Sequence, residues 1–407
     1  MRVAALALAI VGLTAAAARD STAHRAAGTL AFGTWAYLPG STLRIAVDGF
    51  GPPYGTAIVG NGSIDGGTLH VPADAPPGES FVVAGNAVGL AASTLRVAAP
   101  PDGKRPLLAV ASYDAGVALH DAATFAPLGL LATGGAPSDV AVDARNRVVA
   151  TDTQGTALSV ASIAPWSVSR VDGVPVGDEL AVDSATGAIF ATNRDVDGSG
   201  ALTRVDSNGN VTLVKTGLTA EGLAVDAKRG LVYVANVNDG TVAVVDATTM
   251  RVTRRFAAVA RVFSLALSRD GSRLYAVSNQ STGSPFSAPG CVVTIALDTP
   301  KPRVVARSAN LTFPIGIALD SDTGRLFVTD EENDAVDVLD ARTLHPAARP
   351  LSTCRTPWKP TIDGRRLYIA CARADAVDVV DLTTLQRVAG APFATAGYPL
   401  AVVVWHP

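Results

Sequence analysis

The sequence predicts an all-β protein: a seven-bladed β-propeller, its last sheet composite, preceded by a small β-sandwich. Three observations carry this. From Pro106 onward the chain repeats itself about every 40 residues, the period of a propeller blade. Each unit carries four strand signals: an apolar strand closed by Asp, a Leu-Tyr-Val-Ala-type strand, a Val-x-Val-Val-Asp strand and a variable strand. The stretch EGLAVDAKRGLVYVANVNDGTVAVVDATTMRVTRRF, starting at Glu221, shows all of them. Finally, the first and last repeat segments are complementary parts of a single unit.

Taken in chain order, the first element is a leader. Arg2 makes a basic start, residues 3–13 are apolar, and Ala16, Ala17 and Ala18 offer a small-residue cleavage site. Residues 1–18 therefore read as a secretory signal peptide, which makes the mature chain secreted or periplasmic. No Cys near the cleavage site speaks for a lipid anchor. No later stretch of about 18 apolar, uncharged residues predicts a membrane span.

Residues 28–98 differ from the repeats. Strand-like runs at 29–35, 42–47, 56–59, 68–71, 81–84 and 95–98 alternate with Pro-Gly, Gly-Asn-Gly and Pro-Pro-Gly turn signals. Many short strands in so little chain predict a β-sandwich. Residues 99–105, Ala-Pro-Pro-Asp-Gly-Lys-Arg, read as a linker.

The propeller is expected over 106–407. The innermost strands fall at 138–143, 178–183, 221–226, 263–268, 315–320, 358–363 and 398–403. The second strands fall at 107–112, 148–151, 189–192, 231–235, 274–277, 326–329 and 367–370. Third strands end on Asp121, Asp206, Asp246, Asp298, Asp340 and Asp381, while blade two departs from this with 158–162. The chain thus enters the ring on a second strand and leaves it on an innermost one. The two ends must share one sheet, which closes the ring and leaves no open seam.

The repeats resemble the YVTN family of β-propellers. The residues that carry the likeness are Leu231-Val232-Tyr233-Val234-Ala235-Asn236 with Thr241-Val242-Ala243-Val244-Val245-Asp246. Further copies begin at Leu326 and Ala335, and at Leu367 and Ala376. The stretch PGSTLRIAVDGFGPP, with VPADAPPGESFVVAG after it, is similar to bacterial immunoglobulin-like modules of exported proteins. The first resemblance implies an exported or surface propeller and brings no reaction with it.

A propeller acts at the mouth of its central channel, where each innermost strand begins. In this register those positions are Ser138, Asp178, Glu221, Phe263, Ile315, Trp358 and Tyr398, with Asp139, Glu179 and Lys359 beside them. Asp178, Glu179 and Glu221 form an acidic side; Phe263, Trp358 and Tyr398 form an aromatic one. Lys359 adjoins the rings. Acids beside rings suit a cation or a polyol, through hydrogen-bond acceptors and stacking faces. The plainer alternative is that these side chains finish strands and plug the channel.

Asp195, Asp197 and Ser199, in Asp-Val-Asp-Gly-Ser-Gly, have the alternate oxygens and the Gly of a calcium loop. The helix that should follow is missing, so a polar loop is the competing expectation. The recurring Asp143, Asp183, Asp226, Asp320 and Asp363 precede turn residues and read as turn devices. Three cysteines are present. Cys354 lies before an innermost strand and Cys371 ends the second strand of the same blade, so both sit on one face and predict a disulfide. Cys291 follows the insertion 279–290, a surface loop or a flap over the channel mouth.

Composition narrows the function. Only 17% of residues are charged and the net charge is −3, with no Lys/Arg run, so no nucleic-acid partner is expected. The five histidines are scattered. No Cys-x-x-Cys-His, Gly-x-Ser-x-Gly or His cluster marks haem, a nucleophile elbow or a transition-metal site. The reading is an exported, non-catalytic binding or scaffold protein. Its propeller face would engage a protein, peptide or polysaccharide without a cofactor. One alternative is a metal-dependent lactonase or lyase of gluconolactonase type, with Glu221 and Asp178 as ion ligands and Asn193 and Asn236 one strand away. Another is a periplasmic subunit presenting a redox partner.

Overall fold

The computed structural model describes residues 26–27, 30, 32, 34–45, 47, 55–60, 62–65, 67–85, 89–175, 177–280, 288–299 and 301–407. The expected leader and most of the insertion 279–290 lie outside the described residues.

Among the described residues, seven antiparallel sheets follow one another from Leu107 onward. Each innermost strand lies against those of its two neighbours, and the cycle closes on itself. The closing blade holds Leu107–Ser112, Gly116–Asp121 and Pro127–Leu131, with the C-terminal strand Pro399–Trp405 innermost. Trp405 pairs with Leu107 and Pro399 with Ser112. Blades two to seven have innermost strands Val140–Val142, Gly177–Val182, Ala220–Asp226, Val262–Leu267, Pro314–Asp320 and Pro357–Asp363.

The second and third strands are apolar on both faces because both faces are buried. In Leu231–Asn236, Val232 and Val234 pack toward blade three with Phe190 and Leu202. Tyr233 and Ala235, one residue out of phase, pack toward blade five with Leu274 and Val293. A strand with period-two alternation and two buried faces reads as a continuous hydrophobic run. The outer strands are the exception. Arg251–Ala257 faces water and carries five exposed positions of mixed character.

The segment N-terminal to the ring forms two small sheets. One holds Ala26–Ala27, Gly89–Val97, Gly78–Gly85 and Gly55–Val59; the other holds Thr42–Arg44, Thr68–His70 and Ser63–Asp65. Both contribute to one core containing Ile45, Leu69, Val82 and Leu95. Where the sequence predicts a strand at 29–35, the described residues lie outside any strand: Leu30 and Phe32 are buried in that core instead. The short strand Ser63–Asp65, between two glycine-rich turns, has no signal in the sequence.

These sheets are stitched to the propeller rather than hung from it. Tyr37 bridges Val97 on one side and Leu130 of the closing blade on the other. Leu38 N donates to Leu130 O and Thr42 N to Ala132 O, at 2.8 and 2.7 Å. The outer edge of the closing blade is therefore covered, which satisfies backbone groups that an edge strand leaves open.

Candidate functional site

One backbone device builds the channel mouth. In five blades the pairing of the innermost with the second strand skips a residue: Gly177 faces Asn193, then Leu180 faces Ala191. The same skip occurs at Ala220/Leu223, Val262/Leu265, Pro314/Ile317 and Pro357/Pro360. Two residues thus oppose one, a β-bulge, which re-aims the side chains it frees. Those residues are Asp178 and Glu179, Glu221 and Gly222, Phe263 and Ser264, Ile315 and Gly316, and Trp358 and Lys359. Threonines on the second strand hold the bulges. Thr192 Oγ1 accepts from Glu179 N at 3.1 Å and Thr329 Oγ1 from Gly316 N at 2.9 Å; in blade two, whose pairing has no bulge, Thr151 Oγ1 just past the second strand accepts from Asp139 N at 2.9 Å in the same way.

Residues of non-adjacent blades meet here, which places them at the ring axis. Lys359 of blade seven reaches Asp139 of blade two across the closing blade, Nζ to Oδ2 at 2.5 Å. The ring of Phe263, blade five, stands edge-on to Trp358, blade seven, with centroids 6.4 Å apart. Asp139 is held from below as well: its carboxylate accepts from Leu180 N at 2.7 Å and Val140 N at 2.8 Å. Glu179 accepts a long bond from Leu223 N at 3.4 Å.

A second ion cluster adjoins the first. Arg194, just past Asn193, sends its Nε to the carboxylates of both Asp178 and Glu221, the latter at 2.7 Å. Asp178 and Glu221 are buried, whereas half of the Arg194 side chain is accessible. Four carboxylates thus share two cations. Burial pushes the Glu221 carboxyl well above its ordinary value, and the hydrogen bond shared with Asp178 and that group's charge add to the effect, outweighing Arg194. Burial also raises Glu179 to about 7, against the attraction of Lys359 and with repulsion from Asp139 and Asp178. For Lys359, burial acts downward, but the charges of Asp139 and Glu179 win and hold it above its usual range.

Of the residues expected at the mouth, Asp178, Glu179, Glu221, Phe263, Trp358 and Lys359 lie on bulges and enter these contacts. Tyr398 does not join the Phe263–Trp358 pair. It sits one residue before its strand with φ +54°, and its ring packs against Tyr113 at 6.3 Å. Arg194 has no counterpart in the expected set. It lies on the second strand of blade three, Ile189–Val196, beyond the expected end of that strand at 192, and the only signal for it is a basic residue on the acid-rich face.

The stretch 195–199 forms a two-residue hairpin in place of an open ligand loop. Val196 pairs with Ser199, and Asp197 and Gly198 both take positive φ, the pattern of a type I′ turn. The Asp195 carboxylate accepts from Gly198 N at 2.7 Å. The recurring acids cap their own turns, as in Asp143 with Arg145 N and Arg147 N, and Asp183 with Ala185 N. Cys354 and Cys371 are joined by a disulfide on the channel-mouth face, with Cα atoms 5.7 Å apart. Cys291 is a buried thiol in the core between blades four and five, and burial raises it.

No protein-family model matches the chain, and no curated protein matches it. Solved structures do. The chain is similar to a protein of unknown function from Desulfotomaculum acetoxidans at 16% identity and TM-score 0.59, covering 74% of this chain and 99% of that one. It is also similar to proposed 6-phosphogluconolactonases from Bacteroides fragilis (14% identity, TM-score 0.59, 75% and 99% covered) and Bacteroides uniformis (12%, 0.60, 74% and 100%). At these identities the likeness shows the β-propeller fold alone.

Proposed function

We propose that the chain is an exported, non-catalytic binding protein whose channel mouth receives a cationic group of a peptide, protein or small ligand. The observation that carries this is the set of four carboxylates, Asp139, Asp178, Glu179 and Glu221, sharing two cations beside the Phe263–Trp358 ring pair. A ligand ammonium or guanidinium would add a counter-charge and hydrogen-bond donors to the four carboxyl groups, with a ring face alongside. Export is supported by the leader pattern in residues 1–18 and by the Cys354–Cys371 disulfide, which suits an oxidising compartment.

Arginine amide is a suitable probe. Titration calorimetry should show saturable binding with proton release, tightening as pH rises through neutrality. Glu221→Gln and Trp358→Ala should each weaken it about tenfold, the size of one charge-assisted contact. Absence of saturable binding, or binding that both variants leave intact, overturns the reading.

A lactonase-type activity is the second reading. It is favoured by the fold shared with the proposed 6-phosphogluconolactonases and by Glu179, whose pKa of about 7 suits proton exchange at neutral pH. The residues at the mouth do not fit a divalent ion. Asp178 and Glu221 are taken by Arg194, Asn193 is bonded to Pro175 O and Thr203 Oγ1, and no group of three His, Cys, Asp or Glu side chains converges among the described residues. Turnover of a sugar lactone that is lost in Glu179→Gln would establish this reading.

A further inference from the structure

On the face opposite the channel mouth, a cleft of about 650 Å³ opens between blade seven and the closing blade. Its cause is the ring closure. The other blades join innermost and second strands by a short turn. Here the two strands are the ends of the propeller chain: Arg105 and Pro106 lead into Leu107–Ser112, and His406 follows Pro399–Trp405.

Three guanidinium groups border the cleft. The fold accounts for Arg366: it donates to Ala122 O at 3.1 Å, as Arg325 donates to Leu382 O at 2.6 Å and Arg204 to Ala247 O at 3.0 Å. In each case an arginine of one blade ties down the turn after the third strand of the next. Arg105 and Arg365 lie outside this device. The Arg105 side chain is 73% exposed and meets Asp121 only at 3.5 Å. Arg365 is exposed and gives one N–H to Thr383 Oγ1 at 2.6 Å.

The local acids do not use up these donors. Asp121 Oδ1 accepts from Ala123 N, Thr124 N and Thr124 Oγ1, and Asp363 is engaged by His406 at 2.9 Å. Between the charges the floor is apolar, made by the buried Tyr368 and Val404. Cationic forks above a low-dielectric floor select an oxyanion that carries an apolar body. We infer that this cleft binds a small organic anion, a carboxylate or phosphate monoester, with its oxyanion on Arg105 and Arg365 and its apolar part over Tyr368 and Val404. The inference is independent of the channel-mouth reading, since the two sites lie on opposite faces.

The test is calorimetric titration of the full chain with phenyl phosphate, benzoate, inorganic phosphate and phenol. Phenyl phosphate or benzoate should bind saturably, and phenol, which lacks the charge, should not. Inorganic phosphate, which lacks the apolar body, should bind at least about tenfold more weakly than phenyl phosphate. Arg105→Ala with Arg365→Ala should weaken the organic anion about tenfold or more, with an unchanged circular dichroism spectrum, whereas Glu221→Gln should leave it unaltered. No saturable binding, equal binding by the double variant, or equal binding of inorganic and phenyl phosphate overturns the assignment.

Discussion

The Nε of Arg194 lies 2.7 Å from Glu221 Oε1 and is shared with Asp178, so one half-exposed cation holds two buried carboxylates from adjacent blades. Removing it leaves those acids without a counter-charge. Arg194→Ala should destabilise the fold at neutral pH by about 2 kcal/mol, below the cost of breaking a fully buried pair because the guanidinium is half in water. Urea denaturation at neutral and acidic pH checks this. The loss should shrink in acid, where protonated carboxyls no longer need the cation.

The stability of the whole protein should carry the mark of Glu179. Its folded value of about 7 stands above the ordinary 4.5. Between those values the folded state binds more protons than the unfolded state, so stability is full below 4.5 and falls as pH rises through 7. Glu221, shifted in the same direction, adds to the fall. Glu179→Gln keeps the shape and removes the titration. Its denaturation midpoint should vary less with pH over that window than that of the unsubstituted protein, and an unchanged slope would show that Glu179 is not the group responsible.

How much of this was legible in the sequence differs by kind of feature. Strand register was legible because both faces of each second strand are buried, which makes runs such as Leu231–Asn236 recur with a fixed period. Closure followed from that register alone. The mouth residues were legible as positions but not as contacts. The Lys359–Asp139 pair spans blades far apart in sequence, and nothing in a repeat states which side chains reach across the axis. Tyr398 was misplaced because a single positive-φ residue turns its ring off the strand direction. Arg194 was missed because it stands on the extended end of a second strand, Ile189–Val196, rather than on an innermost strand.

Ring closure predicts a strong effect at the far C-terminus. Trp405 is almost fully buried, pairs with Leu107, and donates its indole N–H to Asn146 O at 2.7 Å. It joins the closing blade to blade two. Trp405→Ala should cost about 3–5 kcal/mol, the range for a large buried side chain, although it lies near the end of the chain. Chemical denaturation should register the loss in the main transition of the propeller. A small, separate early transition would mean that the C-terminal strand frays without consequence.

Gly222 offers a way to perturb the mouth through backbone alone. It is the second residue of the blade-four bulge, and a Cβ there would come within 2.3 Å of Phe263 O and 2.8 Å of Ser264 Cα. Both contacts are backbone atoms of the next innermost strand, so no side-chain rotation relieves them. Gly222→Ala must therefore push blade five outward at its bulge, at a cost of about 1–3 kcal/mol. Phe263 moves with that strand, and its edge-on contact with Trp358, at 6.4 Å, should loosen. Tryptophan fluorescence and urea denaturation together check this. The expected outcome is a lower midpoint with an altered emission, because the ring pair depends on the close approach of the two strands. If stability falls but the emission and arginine-amide affinity both stay unchanged, the ring pair does not depend on that approach and is not part of the binding surface.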